Sequence, residues 1–395
     1  MAFSTKATRQ LTKQHNRDLV LQMIFGNQKI SRAEIARLTE LTRTTVSEVV
    51  GGLIKEGLVE EVGLGSSIGG KPSILLSLVA DSRYLIGLSL MQDKFIGAVV
   101  NLSGEIKETV EIPVDGRDGT QALSLLYQIL DRLTQKNWIP IVGIGVGAPG
   151  LINTREGIVI SAVNLDWQDL PLAHLLEKRY GLPVSVLNDS QATAIGEFVY
   201  GNHPSGSNLI VLTVMHGIGA GVLINGQLFQ GDGGGAGEIG HVVVQENGLP
   251  CRCGRNGCLE TVASAKAVVT RMQSLTDSLD PISLDVVESR FKNGDRTAQQ
   301  VIMDAATYLG RSIGSLVGTF NIKTIVLTGD MTRFGEAWLS AVERAMSQAA
   351  LGRMVEGTQL QVGKLDYRAC VLGSAAHLLL DGYSLLFTQS GHGPA

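Results

Sequence analysis

The sequence predicts two α/β lobes facing each other across a cleft, carried behind an N-terminal winged helix-turn-helix head. Three observations predict it. A capped helix, a short turn and a second amphipathic helix run from Ser31 to Gly57 and lead into two strands around a Gly/Ser tip. From Tyr84 onward, apolar strands alternate with helical stretches in two similar halves. Polar residues gather just after strand ends and glycine turns, where such folds keep their ligand chemistry.

The bulk numbers agree. A chain of 395 residues suggests two or three domains, each able to bury a core. Four cysteines in that length do not make a disulfide framework. No apolar run is long enough for a bilayer, and "MAFSTKATRQLTKQHNRDLVLQ" lacks the apolar core of a secretory signal. The expectation is a soluble, cytoplasmic protein with no membrane partner. The net charge of −4 is unevenly spread. Residues 1–80 carry 10 Lys/Arg and 7 Asp/Glu, or +3, which leaves −7 for the remainder. A basic head on an acidic body points to a polyanion as the head's partner.

In the head, Ser31 followed by Glu34 is a capping box, so a helix starts near Arg32 with Ile35 and Leu38 toward a core. A turn over Thr39–Leu41 leads to Thr42, an N-cap residue type. Val46, Val49, Val50, Leu53 and Ile54 then share one helical face, and Gly57 stops the helix. An earlier amphipathic helix fits Asn16 to Phe25. The second helix of such a pair enters the major groove with its first turns. The residues exposed there are Arg43, Thr44, Thr45 and Ser47, donors suited to phosphates and base edges. "LVEEVGLGSSIGGKPSILLSL" reads as a two-stranded wing with Lys71 near its tip, able to approach a minor groove. The competing reading is a three-helix packing module with no DNA role.

In the body, "YLIGLSL", "FIGAVVNL" and "EIKETVEIPV" form a meander of three strands, followed by a helix around Ala122–Gln135. "IVGIGVGAPG" is an apolar strand ending in a glycine turn, and "PVSVLNDSQATAIGEF" is a strand running into a helix. "NLIVLTVMHGIGAGVLINGQLF" is a hairpin-like pair, and "KTIVLTGD" is a late strand before a helix from about Phe334. Asn188 and Asp189 follow a strand directly, although Asp189 has a simpler role open to it as an N-cap. "GGGAGEIGH" places Glu238 and His241 after a glycine run, Glu260 follows a cysteine loop, and "NLDWQD" adds Asn164. Acids, amides and an imidazole together suit a hydroxyl-rich ligand.

The cysteine loop "CRCGRNGCLE" spaces Cys251, Cys253 and Cys258 as C-x-C-x4-C, with His241 just upstream. Three thiolates and an imidazole suit tetrahedral Zn²⁺, and Gly254 and Gly257 let the chain fold around an ion. Reduced, inert cysteines or a redox pair are the alternatives; C-x-C is not the usual redox spacing. Cys370 reads as a buried small hydrophobe.

"GEIGH" followed by "CRCGRNGCLE" resembles the ROK family of sugar kinases and sugar-responsive repressors. "GVGAPG", "NLDW", "LNDS" and "HGIGAGVLINGQL" are similar to its other motifs, in the same order. With the head, the resemblance covers nearly the whole chain. It implies an actin-like, hexokinase-type (ribonuclease H-like) body. It also implies structural zinc on His241, Cys251, Cys253 and Cys258, and sugar contacts from Asn188, Asp189, Glu238, His241, Glu260 and Asn164.

Two places depart from the family's kinases. Where they carry a D-x-G-G-T type phosphate loop, this chain reads "GLSLMQDKF", with Ser89 for the acid and Leu90, Met91 and Gln92 for the glycine turn. Where they carry G-T-G-I-G, it reads "MHGIG", with Met215 and His216. Phosphate cradles need glycine so that backbone N–H groups can approach oxygen. The expectation is a sugar-responsive regulator, a repressor without kinase activity, working as a homodimer or homotetramer on operator DNA with a monosaccharide effector. In a kinase Asp189 would be the general base. An active sugar kinase with a DNA-binding head, or a regulator controlled by a protein partner, are the other readings. The expected division is 1–80 for the head, 81–200 for the first lobe joined by a C-terminal helix at about 368–385, 201–367 for the second lobe with the zinc loop, and 386–395 for a disordered tail.

Overall fold

In the head, three helices, Arg9–Gly26, Arg32–Thr39 and Arg43–Lys55, pack around one apolar centre. The computed structural model describes residues 9–27, 29–65, 72–135, 138–204, 206–276 and 280–381. The caps read from the sequence form. Ser31 Oγ accepts the Glu34 N–H at 3.2 Å, and Thr42 Oγ1 accepts the Thr45 N–H at 3.1 Å. Gly57 takes φ +70° past the end of the third helix. Val46, Val50 and Leu53 are fully buried with Val20, Leu21, Ile24 and Ile35. The first helix begins at Arg9 rather than Asn16. Its early turns are polar, and Leu11 is 57% exposed, so the apolar period does not reach that far. Leu38 also departs from expectation at 47% exposed. The short second helix meets the core through Ile35 and Ala36, and a residue two places on from Ala36 faces away.

The wing pairs Val59–Leu64 with Ile74–Leu78, and the two-residue strand Ile30–Ser31 adds to the other edge of Ile74–Leu78. Lys71 and the wing tip lie outside the described residues, as do residues 382–395.

The body contains two five-stranded sheets of identical topology. In the first, Tyr84–Leu90, Lys94–Asn101 and Ile106–Pro113 form an antiparallel meander, and Ile141–Ala148 and Val184–Asn188 extend it in parallel from the free edge of Tyr84–Leu90. In the second, Leu209–Val214, Ile218–Ile224 and Gln227–Phe229 form the meander, and Thr324–Thr328 and Gln359–Val362 extend it. Repetition of this order is what makes the body two lobes of one design. The first sheet packs on the helices Gly119–Thr134 and Leu172–Tyr180. The second packs on Ala265–Ser274, Arg296–Phe320 and Gly335–Ala349.

Between strands four and five of the first lobe, Leu151–Asn153, Ile158–Ala162 and Trp167–Leu170 make a small antiparallel sheet. It is anchored by Trp167, whose Nε1 donates to Gly119 O at 2.8 Å. Two helices join the lobes. Asp189–Tyr200 packs Ala194 and Phe198 on the second sheet, and the C-terminal helix Arg368–Asp381 lies on the first. They cross at glycines: a Cβ on Gly373 would lie 1.7 Å from Ala192 O, and one on Gly196 2.0 Å from Ala369 O.

Candidate ligand cleft and metal centre

The cleft begins where the strand Val184–Asn188 meets the interlobe helix. Asn188 caps that helix, its Oδ1 accepting the N–H groups of Ser190 at 2.9 Å and Gln191 at 3.3 Å. The capping role open to Asp189 therefore belongs to Asn188, and Asp189 is the first helical residue. Asn188 also reaches outward: Nδ2 donates to Gly150 O at 3.0 Å and to Glu238 Oε1 at 3.4 Å, across to the second lobe. Asp189 Oδ1 accepts from Ser190 N–H at 2.7 Å and Ser190 Oγ at 3.3 Å. Burial nevertheless pushes the Asp189 carboxyl up to about 6, with the Glu260 charge adding to the effect.

Glu238 is held by the backbone before it. The Ala220 N–H donates to Gly237 O at 2.8 Å, which ties this turn to the strand Ile218–Ile224. Burial, then the charges of Asp189 and Glu260, push Glu238 up to about 7. His241 closes the 3₁₀ turn Ile239–His241 and faces two ways. Its Nε2 is 3.8 Å from Glu238 Oε2, and its Nδ1 is 3.5 Å from Cys251 Sγ.

The cysteine loop is a small knot of backbone bonds. Cys251 N–H donates to Arg255 O at 2.7 Å, Gly254 N–H to Cys251 O at 3.0 Å, and Val244 N–H to Gly257 O at 2.8 Å. Gly257, at φ +72°, runs so close to the neighbouring segment that a Cβ would lie 1.8 Å from Gln245 O. The loop brings one ligand atom each from His241, Cys251, Cys253 and Cys258 within 4.8 Å of one another. The Cys253 and Cys258 sulfurs are 3.6 Å apart. A tetrahedral ion with metal–sulfur bonds of about 2.3 Å needs its sulfurs about 3.8 Å apart, so the set fits a metal ion. No cysteine is in a disulfide.

Glu260 follows the loop as the first residue of a short helix. Its Oε2 accepts the Ile218 N–H at 3.3 Å, and Oε1 accepts from Arg252 Nη2 at 3.4 Å. The same guanidinium donates through Nη1 to Asn164 Oδ1 in the first lobe. Asn164 stands on a 3₁₀ turn, Val163–Leu165, whose last residue, Leu165, is buried, as is Trp167 just after it. The cleft therefore gathers Asn188, Asp189, Glu238, His241, Glu260 and Asn164. Sequence reasoning missed Arg252, a loop passenger between two cysteines, and Gln191, whose Nε2 donates to Gly234 O at 2.9 Å and Ala236 O at 3.2 Å.

The two segments that depart from the kinase phosphate loops pack differently. Ser89 is buried and paired with the Cys370 thiol, itself buried as expected. Met91 packs on the apolar cluster shared with the head rather than standing in the cleft, and Gln92 is exposed. Met215 lies against the end of Thr324–Thr328: a Cβ on Gly329 would be 2.6 Å from Met215 Cγ and 2.7 Å from Val214 O. In the head, Arg43, Thr44 and Ser47 are exposed on the first turns of Arg43–Lys55, while Thr45 is half-buried with its hydroxyl 2.9 Å from that of Thr42.

Residues 85–380 match the model of the ROK family. The chain is 34% identical over 387 residues to the xylose repressor of Caldicellulosiruptor bescii, which covers 94% of this chain and 97% of that one. It is 33% identical over 308 residues to a glucokinase of Halalkalibacterium halodurans, covering 74% of this chain and 93% of that protein. The crystal structure of a ROK family transcriptional regulator, a homologue of the E. coli MLC protein, superposes with a TM-score of 0.81 at 27% identity, covering 95% of this chain and 98% of that one. The family's match begins just past the head, and the regulators match through it: this chain belongs to the ROK family.

Proposed function

We propose that the chain is a sugar-responsive transcriptional repressor. The head holds operator DNA through Arg43, Thr44, Thr45 and Ser47, with Lys71 on the wing. The cleft takes a monosaccharide or a close derivative. One observation carries the reading: the amide Asn188 and the acids Asp189, Glu238 and Glu260 converge on a single interlobe cleft in a chain that also carries the capped helices and paired wing strands of the head. Hydroxyl-rich ligands need such acceptors. The relative named xylose repressor shares head and body alike, whereas the glucokinase likeness covers 74% of this chain.

His241, Cys251, Cys253 and Cys258 hold structural zinc in this reading. The ion would neutralise the thiolates and fix the imidazole by Nδ1, leaving Nε2 beside Glu238. Phosphotransfer is absent, because Met215 packs on Gly329 where a phosphate cradle needs open backbone. The competing reading, an active kinase, is favoured by one feature, a carboxyl at Asp189 raised to about 6 as a general base requires. The units are a head over 1–80, a first lobe over 81–200 completed by the C-terminal helix, and a second lobe over 201–367. Symmetric operators call for a homodimer or homotetramer.

A thermal-shift screen over neutral monosaccharides, followed by gel shifts on operator DNA and a coupled ATP assay with the responding sugar, tests this. Expected are a raised melting temperature, sugar-dependent release of DNA and no turnover. Turnover in the ordinary enzymatic range, about 1 per second or more, establishes the kinase instead.

A further inference from the structure

Arg252 sits between two cysteine ligands, yet its side chain leaves the loop and enters the cleft. Nη1 donates to Asn164 Oδ1 in the first lobe, and Nη2 donates to Glu260 Oε1 in the second at 3.4 Å. The guanidinium is a planar fork, always charged, that can satisfy two separated acceptors at once. Asn164 and Glu260 are also two of the acceptors that a hydroxyl-rich ligand in this cleft would use. The other Glu260 oxygen is already engaged by the Ile218 N–H at 3.3 Å.

We infer that Arg252 is a built-in competitor for the effector: without ligand it occupies acceptors on both lobes, and a neutral sugar binds by displacing it. This rests on the sugar-cleft reading above. A different role, a latch whose loss opens the cleft and weakens binding, is disfavoured by the other ties between the lobes. Asn188 Nδ2 reaches Glu238 Oε1 at 3.4 Å, and Gln191 Nε2 reaches Gly234 O at 2.9 Å and Ala236 O at 3.2 Å. None of these involves Arg252. Its removal therefore leaves the cleft tied and its acceptors vacant. The consequence is a tuned threshold: Arg252 sets how much sugar is needed for a response, and it penalises ligands too small to replace both of its hydrogen bonds.

The test is calorimetry on wild type, Arg252→Met and Arg252→Lys with D-xylose, D-glucose and N-acetyl-D-glucosamine as probes, with metal content measured alongside. Methionine keeps much of the side-chain volume and removes every donor. The sugar that wild type binds should bind Arg252→Met roughly three- to tenfold more tightly, as loss of a competing hydrogen bond of ordinary strength implies. Arg252→Lys, with one point charge instead of a fork, should fall between and remains informative if the Met variant loses metal. Equal or weaker binding by both variants at wild-type metal content overturns the competitor role and leaves the sugar cleft standing. Failure of wild type to bind any of the three overturns the sugar reading and this inference with it.

Discussion

Asp189 holds a carboxyl whose proton the folded chain favours, because burial raises it from 3.8 to about 6. Between those values the native state binds more proton than the unfolded chain, so stability falls as pH rises through about 4 to 6 and stays lower above. The cost at neutral pH is on the order of 1–3 kcal/mol, reduced by whatever solvent reaches this partly buried group. Asp189→Asn removes the charge and keeps the shape. It should raise the melting temperature at pH 8, flatten the decline between about pH 4 and pH 6, and abolish sugar-dependent release of DNA. Melting curves across that range, with gel shifts, check it; a melting temperature lowered at pH 8 would contradict the burial argument. This residue was legible in the sequence because strand ends are where α/β folds place ligand groups. The division of labour with its neighbour was not legible. Either side chain suits an N-cap, and only the backbone geometry assigns the cap to Asn188. Arg252 was invisible for a related reason: the direction of a loop side chain depends on where the opposite lobe stands.

The cysteine loop behaves as an element of its own. Regular pairing within it is limited to the isolated bridges Val243–Cys258 and Pro250–Asn256, so four converging ligand atoms and a few backbone bonds define its shape. If zinc is bound, its free energy is part of the loop's folding free energy. Protein purified without added metal should carry about one zinc per chain. Cys251→Ser should lose the metal and the sugar response while the head still binds operator. Zinc near zero in wild type, with unchanged stability in the variant, would remove the metal from this account. Elements with strong periodicity were readable in advance. The meander Tyr84–Pro113, the strand Ile141–Ala148 and the third head helix Arg43–Lys55 all fall where their apolar spacing put them. The small sheet over Leu151–Leu170 was not read, because its strands are three to five residues long and partly polar. The 25-residue helix Arg296–Phe320 was not legible either, because Gly310, Gly314 and Gly318 weaken the helical signal of its second half.

At the scale of the molecule, packed helices connect the cleft to the head. The helix that begins at Asp189 crosses the C-terminal helix at Gly196 and Gly373. The C-terminal helix contributes Val371, Leu372 and Leu378 to the same apolar cluster that holds Leu21, Ile24 and Leu76 of the head. A change in lobe angle at the crossing therefore moves packed side chains rather than a loose linker, and packed interfaces rearrange between discrete states instead of yielding gradually. Two recognition helices in a dimer must lie about 34 Å apart to read both half-sites together. A sugar that shifts this separation lets one arm go and loses the linked binding of both. Moving the operator from nearly all bound to nearly all free takes a preference of about 5.5 kcal/mol between the two states. In the proposed reading, the acceptors at Asp189, Glu238 and Glu260, on different lobes, would supply that preference by holding sugar in the cleft. The two ends should then separate by mutation. Arg43→Ala should weaken operator binding by about 1–3 kcal/mol while sugar affinity measured without DNA stays the same. Asp189→Ala should bind the operator and fail to release it at sugar concentrations that free wild type. Gel shifts and calorimetry on the two variants decide it, and release of DNA by Asp189→Ala at those concentrations would place the effector elsewhere.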